Sequence, residues 1–191
     1  MPRPRTYDRD RALRQAIRAF WTTGYAATSV RSLQEATGMA PASLYGEFGG
    51  KDALFAAAVE RYIDDSRQWH AETLDAAPPG LDALRRHFAS YTFDVRSSEG
   101  CLLVNSLGER STIPAEARRS IDDFFMWVRG RYRAHLTEAV ARGEVRPDAD
   151  TDALAGALLA FDQGLASAAT IPSQRRHLRH AVSAWFDALA V

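Results

Sequence analysis

Apolar residues in this chain recur at helical spacing almost from end to end, and glycine or proline marks each break. Leu13, Ala16, Ile17 and Phe20 fall at i, i+3, i+4 and i+7, and Gly24 follows as a stop. Val30, Leu33 and Ala36 predict a short second helix, with Thr28 or Ser29 as cap and Gly38 as terminator. Pro41 suits a first helical turn and opens a third short helix carrying Leu44 and Phe48, which Gly49 and Gly50 end. Further helices are predicted near 51–75, 81–95, 101–110, 115–142, 151–169 and 173–189. No stretch alternates β-branched residues as a strand would. The expectation is an all-α chain of about nine helices.

Composition narrows the class. The 191 residues are 46% hydrophobic and 25% charged, enough to bury a core. One cysteine excludes an intramolecular disulfide framework and a multi-cysteine zinc site, and fits a reducing compartment. No apolar run reaches a membrane span, and MPRPRTYDRDRALRQ lacks the apolar core of a secretory signal. A cytoplasmic protein with no membrane partner is expected.

The 24 Lys+Arg cancel the 24 Asp+Glu, which by itself argues against a nucleic-acid binder. The charge is unevenly spread, however. Residues 1–51 hold eight basic and four acidic groups, a net of +4, and the other 140 carry −4. A basic head on an acidic body suits a protein whose N-terminus meets phosphate.

Residues 28–48 read as two short helices joined by a tight turn. In a helix-turn-helix the second helix enters a DNA major groove while apolar residues hold the crossing angle. Val30, Leu33, Ala36, Met39, Leu44 and Phe48 supply that core, leaving Ala42, Ser43, Tyr45, Gly46 and Glu47 outward. The stretch GYAATSVRSLQEATGMAPASLYGEFGGKDALF (24–55) resembles the N-terminal signature of TetR-family transcriptional regulators. The matching marks are Gly24-Tyr25, Thr28-Ser29-Val30, Gly38, Ser43-Leu44-Tyr45, Phe48, Lys51 and Leu54-Phe55.

The resemblance implies a helix-turn-helix DNA-binding domain over 1–50 and an effector-binding, dimerising domain over 51–191. It also implies a homodimer on a palindromic operator, released by a small-molecule effector. Carried over residue by residue, Thr28 or Ser29 matches a cap that touches phosphate, and Tyr45 and Lys51 match phosphate contacts. Arg31 matches a base-reading position, and its guanidinium fits the O6/N7 edge of guanine. Many members carry Ser-Lys-Gly where this chain has Ala40-Pro41-Ala42, and bulkier residues at Gly46-Glu47. Readout is therefore expected to lean on Arg31, Ser43 and contact of Ala42 with a thymine methyl. Glu47 would repel phosphate unless it faces Arg31 or accepts from a cytosine amine. The tail PRPRTYDRDR is a further candidate for groove or phosphate contact.

In the body, helical phase selects Tyr62, Trp69, Phe88, Tyr91, Asn105, Phe125, Tyr132, Phe161 and Gln163 as candidate effector-pocket residues. Asp162, a carboxylate on an apolar helix, needs a partner, either an arginine across a dimer interface or a cationic effector. Cys101 starts the sixth helix, where a positive dipole end lowers a thiol pKa. Some electrophile-responsive TetR-like repressors carry a comparable Gly-Cys-Leu, so a thiol-sensing repressor is the alternative reading. Leu158, Asp162, Leu165, Val182, Trp185 and Leu189 on the last two helices are the expected dimer interface.

Enzyme readings fail on spacing. GEFGGKD (46–52) lacks the phosphate-loop pattern, and Asp52 stands where that pattern needs a hydroxyl. His177 and His180 form an i, i+3 pair with no nearby Cys or carboxylate cluster, so no metal and no cofactor are expected. A helical small-molecule-binding module without DNA contact is the competing class.

Overall fold

A computed structural model describes residues 9–91 and 100–191. The described residues form nine α-helices and no strand: α1 (Arg9–Thr23), α2 (Val30–Thr37), α3 (Pro41–Phe48), α4 (Lys51–Leu74), α5 (Leu81–Ala89), α6 (Leu102–Leu107), α7 (Ala115–Ala141), α8 (Thr151–Ala168) and α9 (Pro172–Leu189). The predicted helix ends lie within a residue or two of these, except at α5 and α6. α5 ends at Ala89, and the stretch assigned to its continuation falls largely on 92–99, outside the described residues, as does most of the N-terminal tail. α6 runs six residues, shorter than its apolar pattern suggested.

The contacts group into two units. The first comprises 1–64 with 101–121, and the second 65–100 with 122–191. α4 and α7 each begin in the first and end in the second. In the first unit α1 packs on α2 and α6. Its core joins Phe20, Leu33, Leu44, Leu54 and Phe55, with the Phe20 and Phe55 rings edge to face at 5.0 Å. Full burial of each such side chain contributes about 1.5–3 kcal/mol.

In the second unit α9 packs on α5 and α8. Phe88 meets Phe186 at 5.5 Å, and Phe161 stacks on Trp185 at 5.7 Å. The start of α5 lacks a side-chain cap of its own. Glu144 fills that role from the loop after α7, its carboxylate accepting from Leu81 N–H at 2.7 Å. Gly80 makes the approach possible: its φ is +148°, and a Cβ there would lie 2.8 Å from a Glu144 oxygen. None of the helices among the described residues is long and apolar enough to cross a membrane.

Candidate nucleic-acid interface

The two short helices of the head are set by local chemistry at their ends. Ser29 caps α2, accepting from Ser32 N–H at 3.0 Å, while the Ser32 hydroxyl returns to Ser29 N–H at 2.9 Å. This reciprocal pair satisfies two donors that a helix start leaves orphaned. Gly38 ends α2 at φ +68°, a left-handed turn that glycine adopts without Cβ strain, and its N–H returns to Gln34 O. Ala40 then caps α3 without a side-chain bond, and Pro41 occupies its first turn. Leu33, Met39, Leu44 and Phe48 are buried between the helices.

This packing leaves Pro41, Ala42, Tyr45 and Gly46 exposed on α3, with Ser43 and Glu47 half-buried. Tyr45 is 56% exposed, unusual for a large ring. Arg31 on α2 stands with its side chain 88% exposed, bonded to Glu35 one turn on at 3.0 Å. So exposed a pair is weak and yields readily to phosphate or a base.

Two expectations about this surface are changed by the side-chain partners. Glu47 does not face Arg31; it pairs with Arg9 at 3.1 Å, and the Arg9 guanidinium lies 5.1 Å from the Phe48 ring centroid. Thr28 turns inward, buried, its hydroxyl donating to Gly24 O at 2.5 Å, which leaves Ser29 as the cap. Lys51, the first residue of α4, holds its ammonium over the Tyr25 ring at 4.3 Å. The Tyr25 hydroxyl donates to Asp52 at 2.6 Å, and burial together with that carboxylate pushes its pKa up to about 12.

One residue that holds the head escaped sequence reasoning altogether. Glu109, just past α6, accepts from Tyr25 N–H at 2.6 Å and Ala26 N–H at 3.0 Å. It thereby pins the turn between α1 and α2 from more than eighty residues away. Charge-assisted bonds of this kind are about twice as strong as neutral ones.

The candidate pocket residues divide between the units. Tyr62 lies in the first, edge-on to Trp21 at 5.2 Å, together with Cys101 and Asn105. Cys101 is half-buried at the start of α6, its carbonyl accepting from Asn105 N–H at 2.9 Å, and Asn105 is exposed. Trp69, Phe88, Tyr91, Phe125 and Gln163 belong to the second unit. There Trp69 meets Tyr91 at 5.0 Å and His87 at 4.5 Å, and Phe88 meets Phe161 at 6.1 Å. Phe125 is half-buried, and its neighbour Phe124 takes the core position.

His70 and His87 complete this aromatic cluster, stacked at 4.8 Å. They were not among the residues singled out from the sequence. The available signal was their phase: His87 falls beside Leu84 and Phe88, and His70 seven residues after Ile63, on buried helix faces. Burial holds both pKa values down, His70 to about 4 and His87 further. The Thr73 hydroxyl donates to Trp69 O, so its oxygen receives the His87 Nδ1 proton at 2.7 Å, which makes His87 Nε2 an acceptor. Tyr132, fully buried, reaches Asp162 Oδ2 at 2.9 Å, and Tyr91 reaches Oδ1 at 2.5 Å.

The residues selected for a dimer interface lie largely inside the protomer. Leu158, Leu165 and Val182 are buried, Trp185 and Leu189 are half-buried, and Asp162 is held by the two tyrosines. The exposed sides of the last two helices carry Ala153, Ala157, Ala160 and Gly164 on α8 and Ala181, Ala184 and Ala188 on α9.

Known proteins agree with this architecture at both ends of the chain. Residues 12–58 match the model for bacterial regulatory proteins of the tetR family. Residues 77–185 match the tetracyclin repressor-like C-terminal domain. The chain belongs to the TetR family. It is a DNA-binding transcriptional regulator and not an enzyme. The HTH-type transcriptional repressor ComR of Escherichia coli (strain K12) is 33% identical over 171 residues, covering 87% of this chain and 81% of ComR. The repressor DhaR of Mycobacterium sp. (strain GP1) is 26% identical over 187 residues, 97% of this chain and 93% of DhaR. A cysteine mutant of the TetR-family regulator CifR, solved with 26-bp double-strand operator DNA, superimposes with TM-score 0.79 at 25% identity, over 98% of this chain and 99% of that one.

Proposed function

We propose that this regulator is a cytoplasmic repressor that binds a palindromic operator as a homodimer and releases it when a small molecule occupies the second unit. The observation that carries the reading is the outer face of the helix-turn-helix. α3 exposes small residues and Tyr45, which let its backbone approach a groove closely, and Arg31 stands exposed on α2. Ser29, Tyr45 and Lys51 are assigned to phosphate, Arg31 to a base edge, and Ala42 and Ser43 to shallow contacts in the major groove. Buried Thr28 contributes by holding the turn before α2.

The repressor names of ComR and DhaR and the operator bound to CifR support the direction of regulation and the partner. Dimerisation is assigned to the alanine- and glycine-rich outer sides of α8 and α9, where small residues permit close helix approach across a two-fold axis. Selection of bound duplexes from a random pool tests the whole reading. Enrichment of an inverted repeat is expected, with half-sites about one helical turn or a multiple of it apart. Enrichment of a single half-site would refute the dimer, and no enrichment would refute DNA readout.

A further inference from the structure

Among the described residues, Asp162 brings a carboxylate to the buried network of the second unit with no cation beside it. Both of its oxygens accept from phenols, Tyr91 at 2.5 Å and Tyr132 at 2.9 Å, and it makes no ion pair among the described residues. Tyr132 leads on to His87, whose Nε2 lies 3.5 Å from the Tyr132 hydroxyl and is an acceptor. The histidine therefore offers the carboxylate no proton. Burial pushes the Asp162 carboxyl up to about 6, so at neutral pH it still carries most of a negative charge in a poorly solvated place.

The walls around this carboxylate are aromatic. Trp69 packs edge-on to Tyr91 at 5.0 Å, Phe88 lies 5.7 Å from Tyr91 and 5.5 Å from Tyr132, and Phe161 is adjacent in sequence. Trp69, Tyr91, Phe161 and Asp162 nevertheless keep part of their surface accessible. Ring faces attract a cation through their quadrupole, and more strongly where water is scarce. A lone carboxylate among rings rejects anions and leaves a neutral ligand to face an unpaired charge.

We propose that Asp162, Tyr91, Trp69 and Phe161 form the recognition site for an organic cation, with the carboxylate, held by buried Tyr132, supplying the counter-charge and the three rings the contact area. The regulatory consequence rests on the ligand-released reading above; the site itself does not, because binding is measured without DNA.

Tryptophan fluorescence and calorimetry of the full chain, titrated with phenyltrimethylammonium and with its uncharged isostere tert-butylbenzene, separate charge from shape. The cation is expected to bind at least about tenfold more tightly than the isostere, a difference of about 1.4 kcal/mol. Asp162→Asn is expected to bring the two within about twofold while far-UV circular dichroism stays unchanged. Binding of neither probe, equal binding by the unmodified protein, or an unaltered preference in a folded Asp162→Asn variant would each overturn the proposal. The unmodified protein decides the matter even if the variant does not fold. A cation that binds without releasing the selected operator would leave the site standing and remove the ligand-release reading.

Discussion

The two units differ in the titratable groups they bury. The head keeps its charges at the surface: Arg31 is exposed, Arg9 and Glu47 form a partly exposed pair, and Ser29 and Ser32 cap a helix end in contact with solvent. The second unit also carries surface ion pairs, such as Arg85 with Asp187 and Arg142 with Glu138, but it packs His70, His87, Tyr132 and Asp162 among rings, where burial shifts every one of their pKa values. Solvated charges can be exchanged for phosphate or a base edge at little cost. Desolvated groups are held in one arrangement and respond sharply to any occupant that changes their protonation or pairing. The contrast fits the proposed division between a part that touches a polyanion and a part that senses a small molecule.

Substitutions in the head are expected to act on DNA without touching the interior. Arg31→Ala should weaken binding to the selected operator at least about 30-fold, because each of two heads loses the about 1–3 kcal/mol of a bidentate base contact, with unchanged melting. Lys51→Ala should act more evenly across sequences and lower the salt slope by about two, one contact from each head of the dimer. Equal loss on specific and random duplexes for Arg31→Ala would move that residue from readout to phosphate.

Glu109→Ala probes a long-range polar tie onto the turn after α1. Two backbone donors lose their carboxylate, and a loss of about 2 kcal/mol in urea unfolding is expected. A variant as stable as the parent would show that the turn after α1 holds itself.

Acid titration probes the interior. Burial keeps His70, His87 and His135 below their ordinary value of 6.5, so under about pH 6.5 the unfolded chain takes up protons that the folded chain refuses. Their contribution to stability therefore falls with falling pH, by at most about 1.4 kcal/mol per pH unit for each. Asp162, raised to about 6, acts in the opposite sense between its two pKa values, because there the folded chain holds a proton that the unfolded chain has shed. Three groups outweigh one, so stability should drop from pH 7 to pH 5, and more steeply in Asp162→Asn. A flat or rising profile would contradict the buried arrangement. The smallest effect expected is that of Ser29→Ala, about 1 kcal/mol from the lost cap.

Much of this was legible from spacing, and the failures have physical causes. Gly24, Gly38, Pro41 and Gly49 punctuate the head, and apolar phase supplied its core. The choice between Thr28 and Ser29 as cap turned on which hydroxyl points outward, a fact of tertiary packing. Glu109 and Glu144 act across 84 and 63 residues, beyond any local pattern. On α8 and α9, Leu158, Leu165 and Val182, expected at an interface, are core for a different reason. A helix as rich in alanine and glycine as α8 has little polar reference, so its large residues read as an interface when they are core. His70 and His87 were visible on apolar faces, yet no periodicity shows that their rings stack or that Asp162 lies nearby.

The central claim is that the +4 head reads DNA by sequence while the body stays off it. Fluorescence anisotropy of the selected operator against a scrambled duplex, repeated over a series of salt concentrations, measures this directly. The account predicts operator binding at least about a thousandfold tighter than scrambled binding, and a log–log salt slope of about −4 or steeper for two docked heads. Equal affinity for both duplexes, or operator binding insensitive to salt, would contradict it.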